Sequence, residues 1–344
     1  MTPLFLWGAL LLCAAAVFYG ASGLSRYGDI LAEKTGLGRA WSGVVLMAVA
    51  TSLPELMTAI SSVTFFDTPD IAAGDVLGAC MVNFLIIALL DLLGKEPISG
   101  RIHEGHIISA AFVIMLAAIV LAGIFLGPGA GRLGWIGLYS IFIPLIYAAA
   151  VRLIHSYEKR KFASYTKKMA EALQYEKITL KQAARGYLYY SAVILASASW
   201  LPLIGDRLAL LTGLGQTFIG SIFIAVSTTL PELTVALASL RMGAADMAVG
   251  SLLGSNLFNI LILAAADFFY TKGPVLEYVS RDNMMTAISI IIMSATVIAG
   301  ISYRVQAAGK KPFLFSWVSA ALITVYILNM LALYPLRQLM PVSR

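Results

Sequence analysis

Thr51-Ser-Leu-Pro-Glu-Leu56 is repeated as Thr228-Thr-Leu-Pro-Glu-Leu233. The two copies end a longer ungapped match, in which residues 28–56 agree with 205–233 at 16 of 29 positions. The shared residues include Gly28/Gly205, Asp29/Asp206, Thr35/Thr212, Gly43/Gly220, Pro54/Pro231 and Glu55/Glu232. Each copy sets a proline and a carboxylate inside an apolar stretch, where both are costly. An ionisable group at membrane depth marks a functional site by default. A duplicated scaffold would account for repetition alone, whereas repetition of the costly polar residues points to a duplicated site.

The surroundings of the motif are those of a membrane protein. The chain has 344 residues, 60% hydrophobic and 12% charged, with a mean hydropathy of +0.86. A soluble domain carries about twice that charge fraction, and apolar runs long enough to cross a bilayer recur along the whole chain. The fold class expected is an all-α polytopic membrane protein, multi-pass in the plasma (inner) membrane. Ten transmembrane helices are predicted, at about 4–25, 40–65, 71–93, 107–127, 133–154, 186–204, 216–239, 246–269, 284–302 and 313–333. The first is read as a span and not as a signal peptide, because no basic segment precedes it. Cys13 and Cys80 both sit in apolar segments and indicate no disulfide framework.

The longest polar stretch, 155–185, reads as a cytoplasmic basic linker, an amphipathic helix on the membrane surface with membrane lipid as its partner. With it inside, 18 of the 24 Lys and Arg residues fall on inside loops and six outside, as the positive-inside rule requires. Both termini are then outside, and the net charge of +6 is a topology signal, so no nucleic-acid partner is expected. Five spans precede the linker and five follow it. An odd number per half makes the halves, 1–154 and 186–344, enter the membrane in opposite directions, as two inverted five-helix repeats. Secondary transporters use this plan, with the substrate site at mid-membrane on the repeat interface.

The polar residues around the two acids suit a hard cation. A proline removes a backbone donor and frees a carbonyl one turn earlier, here near Ala50 and Ser227, with Ala48 and Ala225 two residues further back. Those carbonyls, the hydroxyls of Thr51, Ser52, Thr228 and Thr229, and the carboxylates of Glu55 and Glu232 form an all-oxygen lining. Calcium takes about 6–8 oxygen ligands, a number that two facing copies could supply. A second pair of elements follows. Asp75, Ala79 and Asn83 share one helical face in the first half, and Ser251, Ser255 and Asn259 share one in the second. Asn83 and Asn259 are neutral oxygen donors able to complete a cation shell. Gly74/Gly78 and Gly250/Gly254 form Gly-xxx-Gly pairs, which let helices approach closely.

Thr51-Ser-Leu-Pro-Glu55, Thr228-Thr-Leu-Pro-Glu232 and Gly254-Ser-Asn-Leu-Phe-Asn259, with the ten-span layout, resemble the calcium/cation antiporter superfamily and its prokaryotic sodium/calcium exchangers. The resemblance covers essentially the whole chain, with the alpha-repeats at about 43–91 and 220–267. It implies a secondary antiporter and not an enzyme, working by alternating access, without cofactors and as a monomer. It implies calcium held between Glu55 and Glu232, with Asn83 and Asn259 at the other central corners. Flanking sodium ions would be bound by Thr51, Thr228, Ser255 and the carbonyls of Ala48 and Ala225. The long first and sixth spans would slide to switch access.

The chain departs from that family where Gly78-Ala79-Cys80 replaces the expected Gly-Ser-Asn: Ala79 lacks the hydroxyl that Ser255 keeps. One sodium position is then short of a ligand, so proton/calcium exchange, or exchange of another cation, is the alternative. A non-transporting scaffold or an enzyme is a distant third, since neither a nucleophile–base pair nor a His/Cys metal cluster falls at membrane depth. Asp75, whose counterpart Ser251 is neutral, reads equally as a water-exposed residue at the site entrance and as an attractor of ions. One extra residue separates Glu55 from Asn83 relative to Glu232 and Asn259, and is placed in the Phe65–Asp70 turn. His103-Glu-Gly-His106 lacks zinc-protease spacing and reads as a solvated pair. Asp91 and Asp267 are symmetric, with pathway and interface roles both open.

Overall fold

The computed structural model describes residues 3–35, 51–94, 97–169, 178–241, 244–303 and 316–334. Among the described residues twelve principal helices carry the fold: α1 Pro3–Thr35, α2 Leu53–Ser61, α3 Pro69–Leu93, α4 His106–Leu126, α5 Tyr139–Met169 and α6 Leu180–Ala198. They continue with α7 Leu201–Thr212, α8 Gln216–Thr228, α9 Leu230–Arg241, α10 Ala245–Phe269, α11 Asp282–Ser302 and α12 Trp317–Leu333. The only strands among the described residues are a two-residue antiparallel pair, Arg132–Leu133 with Ile136–Gly137.

Among the described residues, seven helical stretches are long and apolar enough to cross a membrane, α6 and α7 counting as one, and the bent pair α8–α9 makes an eighth. Two of the ten sequence-predicted spans meet shorter apolar helices: Leu53–Phe66, with residues 40–50 outside the described residues, and Trp317–Leu333. Sequence and structure differ most at the basic linker. α5 does not stop at 154; it continues to Met169, about four turns further. Residues 155–169 hold no glycine or proline and are rich in straight-chain helix formers, so nothing in the sequence ends the helix where the membrane does. α6 in turn begins inside the predicted linker, where Thr179 and Gln182 form a reciprocal capping box.

α3 is the axis of the molecule. Every residue from Ile71 to Phe84 is buried, as expected for a helix that is apolar all round. Gly74 and Gly78 press it against α8. A Cβ on Gly74 would stand 3.0 Å from the Thr217 carbonyl oxygen, and one on Gly78 only 2.4 Å from that of Ser221. Close approach was expected of both Gly-xxx-Gly pairs; a Cβ on Gly250 would meet only the His106 ring, at 3.1 Å, and none of the described residues approaches Gly254 within 4 Å.

α3 and α10, the matching helices of the two halves, run antiparallel. Asp67, just before α3, accepts from the Tyr270 hydroxyl just after α10 (2.9 Å), while Asn83 and Asn256 meet near their middles. The inserted residue predicted near Phe65–Asp70 coincides with a π-helical turn, Ser62–Phe66, closed by Asp67 at φ +53°. A π turn is what one added residue makes of an α-helix.

α1 packs along α6 through a reciprocal seam. Added Cβ atoms on Gly23 and Gly186 would stand 2.2 Å and 2.4 Å from the rings of Tyr190 and Tyr27, and those two rings stack at 5.7 Å. The apolar residues of α1, α6 and α7 form clusters separate from the main core around α3, α4, α10 and α11.

Asp91 and Asp267 are loop anchors. Asp91 accepts from the Ile98 and Ser316 backbone N–H groups (2.7 and 3.3 Å) and from the Ser319 hydroxyl (2.5 Å). Asp267 accepts from Val275 and Gly137 N–H (2.6 and 2.8 Å) and from the Tyr139 hydroxyl (2.6 Å). Each thus fixes the start of a short helical turn after a proline, Pro97 or Pro274. The expectation of a solvated histidine pair is corrected at His106, which is only 5% exposed. Its Nε2 lies 3.1 Å from Asp246, whose carboxylate also takes the His103 backbone N–H.

Candidate functional site

Both Leu-Pro-Glu motifs lie just past a break in their helices. Ser52 (φ −91°, ψ 9°) and Thr229 (φ −86°, ψ 1°) leave helical geometry by nearly the same amount. The proline that follows cannot donate back across the gap, so the chain restarts as α2 and α9, and α8 and α9 meet at 46°. Glu55 and Glu232 then fall in the first turn of the restarted helices, where the aligned backbone N–H groups favour a carboxylate.

The two halves cross-bond. The Ser52 hydroxyl lies 3.2 Å from Glu232 Oε1, and the Thr229 hydroxyl 3.5 Å from Glu55 Oε1. The Thr51 hydroxyl also reaches Glu232, and that of Thr228 reaches Glu55. Four contacts thus obey one two-fold rule: the hydroxyls before each acid serve the acid of the other half. The rule fails on the next helix of each half. Ser255 stands 3.4 Å from Glu232 Oε1, whereas Ala79, its counterpart, has no hydroxyl to offer Glu55.

The sequence-predicted residues that are described, Thr51, Ser52, Glu55, Asn83, Ala225, Thr228, Thr229, Glu232, Ser255 and Asn259, are all at most 1% exposed. Ala48 lies outside the described residues. Asn83 spends its amide N–H on Asn256 Oδ1 at 2.9 Å, which leaves its own oxygen without a partner. Neither polar atom of Asn259 is bonded among the described residues. The Ala225 carbonyl is not bare. It accepts from the Thr228 and Thr229 hydroxyls (3.1 and 2.6 Å) and from the Thr229 N–H (3.0 Å).

Protons are therefore short. Glu55 Oε2, Glu232 Oε2, Asp75 Oδ2 and the side-chain oxygens of Asn83 and Asn259 are buried acceptors with no donor among the described residues. Thr228 and Thr229 each have one hydroxyl proton and more than one acceptor within reach, a carboxylate and backbone carbonyls, so they cannot supply a proton to all of them. Buried carboxylates left in this condition are costly. Cations relieve that cost directly, and the donor set, all oxygen, fits a hard cation. No three His, Cys, Asp or Glu side chains among the described residues are grouped to hold one metal, so any divalent centre rests on fewer carboxylates plus neutral oxygens.

Two further residues stand near the acids, Asp75, whose two sequence readings are both open, and Asn256, which the sequence reading does not single out. Asp75 is fully buried and accepts from the Thr228 hydroxyl at 2.9 Å, which corrects its reading as a water-exposed residue. Its signal was present as a charge where Ser251 is neutral. Asn256 clamps α3 through the Asn83 amide and through its own carbonyl, 3.7 Å from the Cys80 sulfur. Its signal was the mismatch with Cys80, the residue it touches.

The chain and its fold have relatives among known proteins. The inner membrane protein YrbG of Escherichia coli K12 is 27% identical over 297 residues, covering 84% of this chain and 86% of its own. Two solved structures share the fold. The H+/Ca2+ exchanger CAX superposes with a TM-score of 0.64 at 15% identity, over 98% of this chain and 82% of its own. The sodium-calcium exchanger NCX_Mj superposes with a TM-score of 0.55 at 19% identity, over 96% and 99%. The family model described as "Sodium/calcium exchanger protein" matches residues 5–154 and 185–334. Since that match takes in both Leu-Pro-Glu halves and omits only the two ends and the basic connector, the chain belongs to the sodium/calcium exchanger protein family.

Proposed function

We propose that the protein is a sodium/calcium antiporter of the plasma membrane, working by alternating access, with Glu55 and Glu232 as the calcium carboxylates. The observation that carries this reading is the shortage of protons around two cross-bonded, fully buried acids. Asn83 and Asn259 add neutral oxygens, and Thr51, Ser52, Thr228, Thr229 and Ser255 add hydroxyl oxygens. Ala225, and Ala48 by the repeat, add carbonyls. Two carboxylates balance one calcium or two monovalent ions, so a charge-matched exchange fits the same pair.

The reading includes ten spans in two inverted halves, both termini outside. Antiparallel α3 and α10, the family match in both halves and the matched breaks at Ser52 and Thr229 support it. The glycine–tyrosine seam between α1 and α6, apart from the main core, suits two helices that slide as a unit.

Ala79 favours a second reading, proton/calcium exchange, because the Glu55 side lacks a hydroxyl that the Glu232 side has. The solved neighbours include both kinds by name, a sodium-calcium exchanger and an H+/Ca2+ exchanger. Calcium flux in proteoliposomes, with sodium and proton gradients imposed separately, decides between them. Sodium-driven calcium uptake lost in Glu55→Gln and in Glu232→Gln is expected. Uptake driven by a pH gradient alone moves the conclusion to the second reading, and flux indifferent to both substitutions sinks the residue assignment.

A further inference from the structure

We infer that Asp75 is a third cation-binding carboxylate, which with Glu55 and the Thr228 hydroxyl oxygen holds a monovalent metal cation beside the calcium position. The inference rests on the antiport reading and goes beyond it, because a charge at this place has no counterpart in the second half, where Ser251 is neutral.

The protein supplies its own controls for what a structural buried carboxylate looks like. Asp91 and Asp267, on the same two helices and equally buried, have both carboxylate oxygens bonded, mostly to backbone N–H groups. Asp75 differs from them. It takes one hydroxyl on Oδ1 and has no partner for Oδ2 among the described residues. In this it matches Glu55 and Glu232, each with hydroxyls near one oxygen and the other bare.

Its one partner is shared. The Thr228 hydroxyl faces Asp75, Glu55 and the carbonyls of Ile224 and Ala225, yet it has a single proton. Whichever acceptor takes the proton, at least one carboxylate meets the oxygen lone pairs, and the contact calls for a cation. Asp75 stands one helical turn before Ala79 on the same face of α3, on the side where the hydroxyl is missing. A carboxylate reaching in from one turn away replaces the lost hydroxyl oxygen and adds a charge. Among the described residues no three acids are grouped to hold one metal, so a position on Asp75 and Glu55 and a calcium centre on Glu55 and Glu232 use different pairs of carboxylates. Three carboxylates also change the count: calcium alone leaves one negative charge, which a monovalent cation neutralises.

The test is equilibrium binding of radioactive calcium to the purified full-length protein, with sodium and then potassium titrated as competitors. It compares wild type, Asp75→Asn, Asp75→Ser, Asp75→Asn/Ala79→Ser, Ala79→Ser and Glu55→Gln. In the Asp75 variants, calcium affinity without competitor is expected to stay within about threefold. The Hill slope of monovalent competition should fall by about one, since it is bounded by the number of sites. The competitor concentration needed should rise at least about tenfold, the size of effect that removing a charged ligand gives. Adding Ala79→Ser to Asp75→Asn should recover part of that loss. Unchanged competition overturns the inference. So does loss of calcium binding in both Asp75 variants, which would place Asp75 in the calcium shell, or an effect on pH dependence alone. If neither Asp75 variant folds, Ala79→Ser decides: monovalent competition at least about threefold tighter supports the position, and no change overturns it. Calcium binding indifferent to Glu55→Gln would instead overturn the antiport reading, so the two failures are distinct.

Discussion

Asp267→Asn separates a structural role from a pathway role for the symmetric aspartates. Asp267 Oδ1 receives Val275 N–H and the Tyr139 hydroxyl, and Oδ2 receives Gly137 N–H. An asparagine keeps one oxygen. In its better orientation it retains the two bonds at Oδ1 and turns an N–H toward the Gly137 N–H, so one bond is lost and two donors face each other. A hydrogen bond to a charged group is worth about 1.5–3 kcal/mol. The two retained bonds also weaken, because charge-assisted bonds are roughly twice as strong as neutral ones. Cheaper burial of the neutral amide offsets part of this, leaving a cost of about 2–3 kcal/mol, or roughly 3–4 °C in Tm for a chain of this size. The assay is thermal unfolding of the purified protein with and without saturating calcium, beside a calcium titration. The expected result is the same drop in Tm in both conditions with calcium affinity unchanged within about twofold, and a similar drop for Asp91→Asn. Affinity weakened about tenfold at unchanged Tm would refute the anchor reasoning and put Asp267 on the ion pathway.

Gly78→Ala should be severe. Its Cβ would meet the Ser221 backbone at 2.4–2.5 Å, and backbone cannot rotate aside, so α3 and α8 must part. The cost is expected at or above the upper end of the roughly 1–3 kcal/mol of ordinary overpacking; monodisperse protein with wild-type Tm would contradict the close approach. Asp67 is held below the usual carboxylate range by hydrogen bonds from Lys272 and Tyr270. A depressed pKa adds stability that is full above the unfolded value of 3.8 and is lost as pH falls through the lower folded value. Both side chains of the Lys272–Asp67 pair are more than half exposed, so the gain is under about 1 kcal/mol and is screened by salt. The Tm difference between wild type and Asp67→Asn should therefore be small at pH 7 in low salt, and should vanish in high salt or below the carboxylate range.

Glu55, Glu232 and their hydroxyl neighbours were legible because they break the composition around them, twice, in the same spelling. A costly residue in an apolar run is visible without any knowledge of its partners. Asp91 and Asp267 were equally visible but not interpretable, since their partners are largely backbone N–H groups, of the turn that follows each helix and of segments far along the chain, which no side-chain pattern announces. His106 was misread for the same reason: only the packing of α4 beside the start of α10 brings Asp246 over it. The fifth predicted span ends within two residues of the end of the apolar stretch Tyr139–Ser156, but α5 itself runs on to Met169, because hydropathy tracks the apolar stretch whereas helix propensity carries the chain past it. Asn256 and Asp75 fall between these cases. Each shows as a mismatch between the halves, but its meaning depends on which helix lies across from it.

Those mismatches bear on how a site built from two repeated motifs could acquire selectivity. Where the copies agree, at the acids and the hydroxyls that cross-bond them, each half supplies what the other lacks, and neither can change without disturbing both. On the next helix of each half this reciprocity ends. Ser255 serves the acid of its own half, and Ala79 and Asp75 stand on the Glu55 side without counterparts in kind. A hydroxyl oxygen lost at Ala79 weakens the hold on a bare cation there; a carboxylate one turn away strengthens it and adds a charge. The two changes act on the same position with opposite sign, and they leave the cross-bonded acids intact. On the proposed antiport reading, the paired acids then hold the divalent ion while the driving ion is set by residues on one side alone. It follows that selectivity for the driving ion should respond to substitutions at 75 and 79, and calcium affinity to those at 55 and 232.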